Sequence, residues 1–239
     1  NALAQVFQVS DSNPLVGLEG RAALLRRLCT AMAAQPEMYG AHGRPGGLFD
    51  ALTAAGQPVQ AHAILRLLLD TLSGIWPAGN ALQGVPLGDC WPLAGAGGEG
   101  LAADWVPFHK LSQWLTYSLL EPFEWAGHPV GGLDQLTGLP EYRNGGLLLG
   151  GGVLRLRDAC SAQARWTPAD PLVVEWRALT VALLDELGPL TCRALGLPDQ
   201  ALPLACILEG GTWAAGRVLA QRLRGGLPPL QIESDGTVF

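Results

Sequence analysis

Lysine is almost absent from this chain. Of its 15 basic residues 14 are arginine, and Lys110 alone is lysine. An ammonium is compact where a guanidinium is a wide planar fork, so a single retained lysine marks a place where the fork does not fit, codon bias being the alternative. Basic charge is also outnumbered, 15 residues against 21 acidic, for a net charge of −6 and a pI near 5.1. No basic field is available to hold a polyphosphate backbone, which argues against a nucleic-acid partner. Long apolar runs are missing too. Residues 171–184 are interrupted by Glu175 and Arg177 and fall short of the roughly 20 apolar residues a membrane span needs, so no membrane partner is expected. The five cysteines, Cys29, Cys90, Cys160, Cys192 and Cys206, are odd in number and never form CxxC. Neither a disulfide framework nor a zinc knot is encoded, and a reducing, cytoplasmic setting is expected. His42, His62, His109 and His128 lack metal-ligand spacing, and no HExxH, GxSxG, Walker or dinucleotide-binding pattern occurs, so neither a metal nor another cofactor is expected. The chain starts at Asn1 with no signal-peptide pattern, and an incomplete chain is expected.

What is present is a core. Across 239 residues 49% are hydrophobic and only 15% charged, with a mean hydropathy of +0.22, so the chain folds, as one domain spanning residues 1–239. Periodicity predicts helices over residues 18–34 (Leu24, Leu25, Leu28, Met32) and 59–75 (Ile64, Leu67, Leu68, Leu72). Residues 78–100 read as a long ordered loop containing Gly88-Asp89-Cys90-Trp91. Pro107 opens a third predicted helix reaching residue 125. Residues 146–158 alternate like a hairpin or strand pair, the one good strand signal. Pro171 opens a helix over residues 171–187 that is apolar nearly all round, so Glu175, Arg177 and Thr180 are predicted to be buried with partners. A last helix follows over residues 211–223. The expected fold is a compact, mainly α, multi-helix domain with one small β hairpin or strand pair.

Three clusters could carry chemistry. On the third predicted helix Phe108, Leu111, Leu115 and Leu119 form an apolar stripe, while Lys110, Gln113, Trp114 and Tyr117 share the other side. That second face combines a cation, an amide and two aromatic platforms, and suits a heteroatom-rich ligand or a phosphate, or else is a second buried face with Lys110 reaching out to water. Glu141-Tyr142-Arg143-Asn144-Gly145-Gly146 sets a carboxylate beside a phenol and a guanidinium. A poorly solvated carboxylate can stabilise an oxocarbenium-like transition state or orient a water, the alternative being a surface pairing of Glu141 with Arg143. The paired glycines of Glu209-Gly210-Gly211 could offer backbone N–H groups to an anion. Cys90 is a further, unsupported candidate nucleophile.

With these motifs in place, the chain resembles the uracil-catabolism protein family of fungi and bacteria, a domain of unknown function from the ribosylurea route of pyrimidine degradation. The resemblance runs along nearly the whole chain, through RPGGLFD (44–50), LGDCW (87–91), VPFHKLSQWLTYSLLEP (106–122), LTGLPEYRNGGLLL (136–149), VVEWRALTVALLDEL (173–187), LEGGTWAAGR (208–217) and SDGTVF (234–239). It implies that this is the C-terminal part of a longer family chain. A more distant similarity, to the queuosine-salvage nucleosidases, rests on Phe108, Lys110 and Gln113, on Leu136, Thr137, Glu141, Tyr142 and Arg143, and on Glu175, Arg177, Ala178 and Thr180. Glu141 stands where those enzymes have Asp, and one methylene moves a carboxylate by roughly 1.5 Å. Together the likenesses imply hydrolysis of the N-glycosidic bond of a ribosylated urea or its 5′-phosphate. Glu141 and Glu175 are then the catalytic candidates, and Lys110, Gln113, Trp114, Tyr117, Tyr142, Arg143, Arg177 and Asp235 the substrate-binding ones. The reading that stays open beside it is a non-catalytic binding protein, or a partner of other enzymes of the pathway.

Overall fold

The structure is a computed structural model that describes residues 2–77, 79–199, 201–234 and 236–237. Its helices are α1 (Ala2–Val6), α2 (Leu18–Ala33), α3 (Pro36–Tyr39), α4 (Gly47–Thr53), α5 (Ala61–Leu72), α6 (Lys110–Trp125), α7 (Tyr142–Gly150), α8 (Pro171–Ala194), α9 (Leu204–Ile207) and α10 (Ala214–Arg224). The fold is mainly helical. Its β structure comprises four two-stranded pairs among the described residues. β1 (Val59–Gln60) runs parallel to β6 (Val130–Gly131), and β7 (Arg165–Trp166) parallel to β8 (Gln231–Ile232). β2 (Ala81–Leu82) pairs antiparallel with β3 (Val85–Pro86), and β4 (Cys90–Pro92) with β5 (Trp105–Pro107). β2, β3 and β4 fall in the stretch, residues 78–100, that reads as a loop in the sequence, and β5 lies just beyond it.

Two apolar centres organise the helices. In the first, Ile64, Leu68 and Leu72 of α5 meet Met32, Tyr39, Leu48 and Phe123, all buried, because residues four apart stand above one another on a helix. In the second, Leu139, Leu184 and Leu208 close around Tyr117, Leu187 and Leu204. Helix α6 serves both, sending Phe123 to one and Tyr117 to the other. A cavity of about 600 Å³ opens on the first centre, between Leu28, Ile64 and Leu68 and the α6 side chains Leu115, Leu119 and Phe123.

The hairpin expected over residues 146–158 does not form. Residues Tyr142–Gly150 are helical, and the amides of Val153 and Leu154 turn back onto the Leu148 carbonyl. Close packing of α7 on its neighbours requires glycine at the contacts. A Cβ at Gly145 would lie 2.5 Å from the Trp176 ring of α8, and one at Gly216 of α10 would lie 2.0 Å from the Arg143 carbonyl oxygen. Helix α7 fits between its two neighbours only where side chains are missing. Helix α8 runs past the expected end at residue 187 and through Pro189 to Ala194, and the burial of Gly188 and Cys192 on the added turns outweighs the intrinsic cost of an interior proline. Pro107 ends β5 rather than opening α6, which starts at Lys110.

Candidate functional site

The chain turns into α6 through His109, whose φ of 44° and ψ of 39° are left-handed. A residue other than glycine in this region is strained and has to be held. Asp89 holds it. Its backbone carbonyl accepts the N–H groups of Phe108 (2.9 Å) and His109 (3.0 Å), and its Oδ2 accepts the N–H of Lys110 (3.1 Å). The β4–β5 pairing, with Cys90 opposite Pro107, brings the two segments together. The carboxylate of Asp89 also accepts both terminal nitrogens of Arg177 from α8, each at 2.8 Å, and the indole N–H of Trp91 at 2.8 Å. The Arg177 guanidinium lies 4.0 Å above the Phe108 ring. Burial by itself would raise the Asp89 carboxyl, but the Arg177 fork and charge, Trp91 and the Lys110 amide together hold it below the ordinary carboxylate range.

Lys110 is thereby set in the first turn of α6 with its side chain only 7% exposed, and its Nζ lies 3.6 Å from Oε1 of Glu141. The same oxygen accepts the Trp114 indole N–H at 3.2 Å. Burial pulls the Lys110 ammonium below its ordinary value and Arg177 adds to this, while Glu141 and Asp89 oppose it. Glu141 reaches this position as the extended residue that precedes α7 (φ −76°, ψ 141°). Its carboxylate stays 15% exposed beside Trp114, which is 38% exposed. One turn along α6, Gln113 is buried and donates to the Thr137 hydroxyl at 2.6 Å. The Tyr117 hydroxyl donates to the Thr137 carbonyl at 3.1 Å, and burial together with the Asp185 charge pushes it up to about 12. The predicted face of α6 is divided: Lys110 and Gln113 are buried, Tyr117 is partly buried and Trp114 is 38% exposed, while Leu115 of the expected apolar stripe is 40% exposed.

The sequence-predicted residues therefore divide. Lys110, Glu141 and Trp114 converge, with Gln113 and Tyr117 next along the helix. Tyr142 stays at the surface on the first turn of α7, and its ring carries the Arg143 guanidinium at 4.6 Å. Arg143 turns toward the end of α10, where it donates to the Gly226 carbonyl at 3.1 Å. Arg177 is buried as expected, but its partner is Asp89. Glu175 is not buried and does not pair with Arg177. It is exposed, because residues two apart on a helix point to opposite sides. Asp235 lies outside the described residues. Gly210 and Gly211 fall inside a π-helical turn (Leu208–Trp213) continuous with α9 and α10, so they are not the open start of a helix. Asn144 and Thr212 join that turn to α7 through a buried hydrogen bond of 2.9 Å. Cys90 is buried and its thiol is pushed up to about 11 by burial and by the charge of Asp89, which leaves it protonated at neutral pH. The residue that sequence reasoning missed is Asp89. Its signal was there in LGDCW and in the demand of a buried arginine for a carboxylate.

Comparison with known proteins now adds the lineage. The family model described as "Protein of unknown function (DUF1688)" matches residues 1–239. The chain belongs to this family. It is 42% identical to "Uracil catabolism protein 4" of Lachancea kluyveri over 265 aligned positions, which cover 98% of this chain and 60% of the relative. It is 41% identical to "Protein urg3" of Schizosaccharomyces pombe over 242 positions, covering 98% of this chain and 57% of the relative. The chain thus spans about 60% of the length of these DUF1688-like relatives. Among the described residues of this DUF1688 member, no helix is long and apolar enough to cross a membrane, and no group of three or more His, Cys, Asp or Glu is placed to hold a metal ion.

Proposed function

We propose that this protein acts in uracil catabolism by hydrolysing the N-glycosidic bond of a ribosylated urea or its 5′-phosphate. The observation that carries the reading is the meeting of Lys110 and Glu141, from segments 31 residues apart in the sequence, at 3.6 Å beneath a half-exposed tryptophan. A carboxylate with few waters around it stabilises positive charge developing on a ribose, or orients the attacking water. The neighbouring ammonium binds ribose hydroxyl or phosphate oxygens. Trp114 supplies an apolar wall and Gln113 a polar edge. The name of the Lachancea kluyveri relative supports the pathway, and the Lys110–Glu141 geometry supports the proposed chemistry. Glu175, facing solvent, has no part in it.

Incubating the full-length protein with ribosylurea and with its 5′-phosphate and assaying urea is the direct test. Release is expected, with a loss of roughly 100- to 10,000-fold in Glu141→Gln and little change in ligand affinity. Full-length, folded protein that releases urea from neither compound would overturn the proposal. One observation favours a second reading, binding without turnover. Of the two carboxylates expected to act together, Glu141 alone is at the site, and it is already paired. On that reading wild-type protein binds the ribosylated compound and releases nothing.

A further inference from the structure

The most heavily bonded side chain near the Lys110–Glu141 pair belongs to neither of them. We propose that Asp89 is the positioning residue of the site, fixing where Lys110 presents its ammonium to Glu141. The proposal rests on the reading of Lys110 and Glu141 given above. Three kinds of contact carry it. The Asp89 carbonyl ties down the left-handed turn at His109 through two N–H groups, at 2.9 and 3.0 Å. Its Oδ2 takes the first amide of α6, that of Lys110 itself, at 3.1 Å. Its two carboxylate oxygens bind the two terminal nitrogens of Arg177 in a fork at 2.8 Å each. Asp89 also offsets the like charge that Arg177, 1% exposed, presents to Lys110, since Arg177 disfavours the ammonium and Asp89 favours it. Among the described residues the charged and titratable groups around the lysine are Glu141 before α7, Arg177 on α8, Asp89 before β4, and His109 at the turn. Burial lowers His109, so it adds no fixed cation.

A chain with one lysine makes this measurable. In protein grown with doubly labelled lysine (13C and 15N), the amide and ε-carbon signals that disappear in Lys110→Arg are those of Lys110. The native protein, Asp89→Asn and Asp89→Glu are compared by following both signals through a pH titration. In Asp89→Asn the Lys110 amide signal is expected to move, and the ε-carbon midpoint to fall to lower pH because the Asp89 charge that favours the ammonium is gone. Asp89→Glu restores the charge but displaces the carboxylate. Its amide signal is expected to move while its ε-carbon midpoint returns toward the native one. Where Asp89→Asn does not fold, Asp89→Glu decides by its amide signal. A folded variant of either kind that keeps both signals at their native positions would overturn the proposal. No substrate enters the measurement, so its outcome is independent of whether urea is released.

Discussion

Single side chains in this protein are explained by the charges they face. Asp89 is the clearest case, because its carboxyl is held below the ordinary range despite burial. The native state therefore carries fewer protons than the unfolded chain around the unfolded aspartate value of about 3.9. The stability that the ionised group supplies is complete above that value and is lost as pH falls through the lower native one. Urea unfolding midpoints are expected to drop on acidification below about pH 4, and to drop less in the double variant Asp89→Asn/Arg177→Met, which lacks both members of this buried pair. Removing Arg177 alone, as Arg177→Met, leaves Asp89 buried without its cation and should cost about 3–5 kcal/mol in the same measurement. The cysteines give a second check. Cys29, Cys160 and Cys206 are exposed while Cys90 and Cys192 are buried, and the Cys90 thiol is pushed up to about 11. Iodoacetamide at neutral pH should therefore label the three exposed thiols of native protein, and all five only after unfolding, as read by intact mass. The need of Arg177 for a carboxylate was legible in the sequence, whereas the donor of that carboxylate was not. Glu175 is near in sequence and on the wrong side of the helix, and Asp89 is 88 residues away.

At the scale of elements, periodicity located α2, α5 and α6 to within a few residues, since each presents apolar residues at helical spacing, and it located the start of α8 but not its end, seven residues past the expected one. It failed at α7 for a physical reason. Residues 146–158 alternate in a way that mimics a strand, whereas helix α7 is fixed by its packing, with Gly145 against Trp176 of α8 and Gly150 against Leu219 and Leu223 of α10. That packing predicts opposite signs for one substitution. Gly145→Ala and Gly216→Ala would drive a methyl into the Trp176 ring and the Arg143 carbonyl, and should each lower stability by about 1–3 kcal/mol. Gly188→Ala, inside α8, would place its methyl 3.9 Å from the nearest atom, Cδ1 of Leu204. It should raise stability by up to about 1 kcal/mol, because alanine is the better helix former. Equilibrium unfolding in urea compares all three. The π-helical turn (Leu208–Trp213) and the short strand pairs left no comparable mark. Elements of two or three residues carry too little repeat to read, and long-range packing decides them.

The whole molecule is organised by α6. It begins at Lys110 in the grip of Asp89, sends Tyr117 toward Leu184 and Leu208, and ends with Phe123 among Ile64, Leu68 and Tyr39. A helix shared in this way couples the site to both apolar centres, since neither can open while α6 stays packed on the other. The alternative is two units that unfold independently, with α6 belonging to one of them. Phe123→Ala distinguishes the two arrangements. It deletes a ring that is 2% exposed, and a core truncation of this size costs about 3–5 kcal/mol. The ring is also on the far side of the helix from Lys110. Hydrogen exchange read by mass spectrometry in Ala61–Leu72 and in Tyr142–Gly150 should then speed up together in the variant, because a shared helix makes both segments exchange through one global opening. Acceleration confined to Ala61–Leu72 would mean that α7, and with it Glu141, keeps its place without the first apolar centre. The Lys110–Glu141 pair would then depend on the second centre and on Asp89 alone.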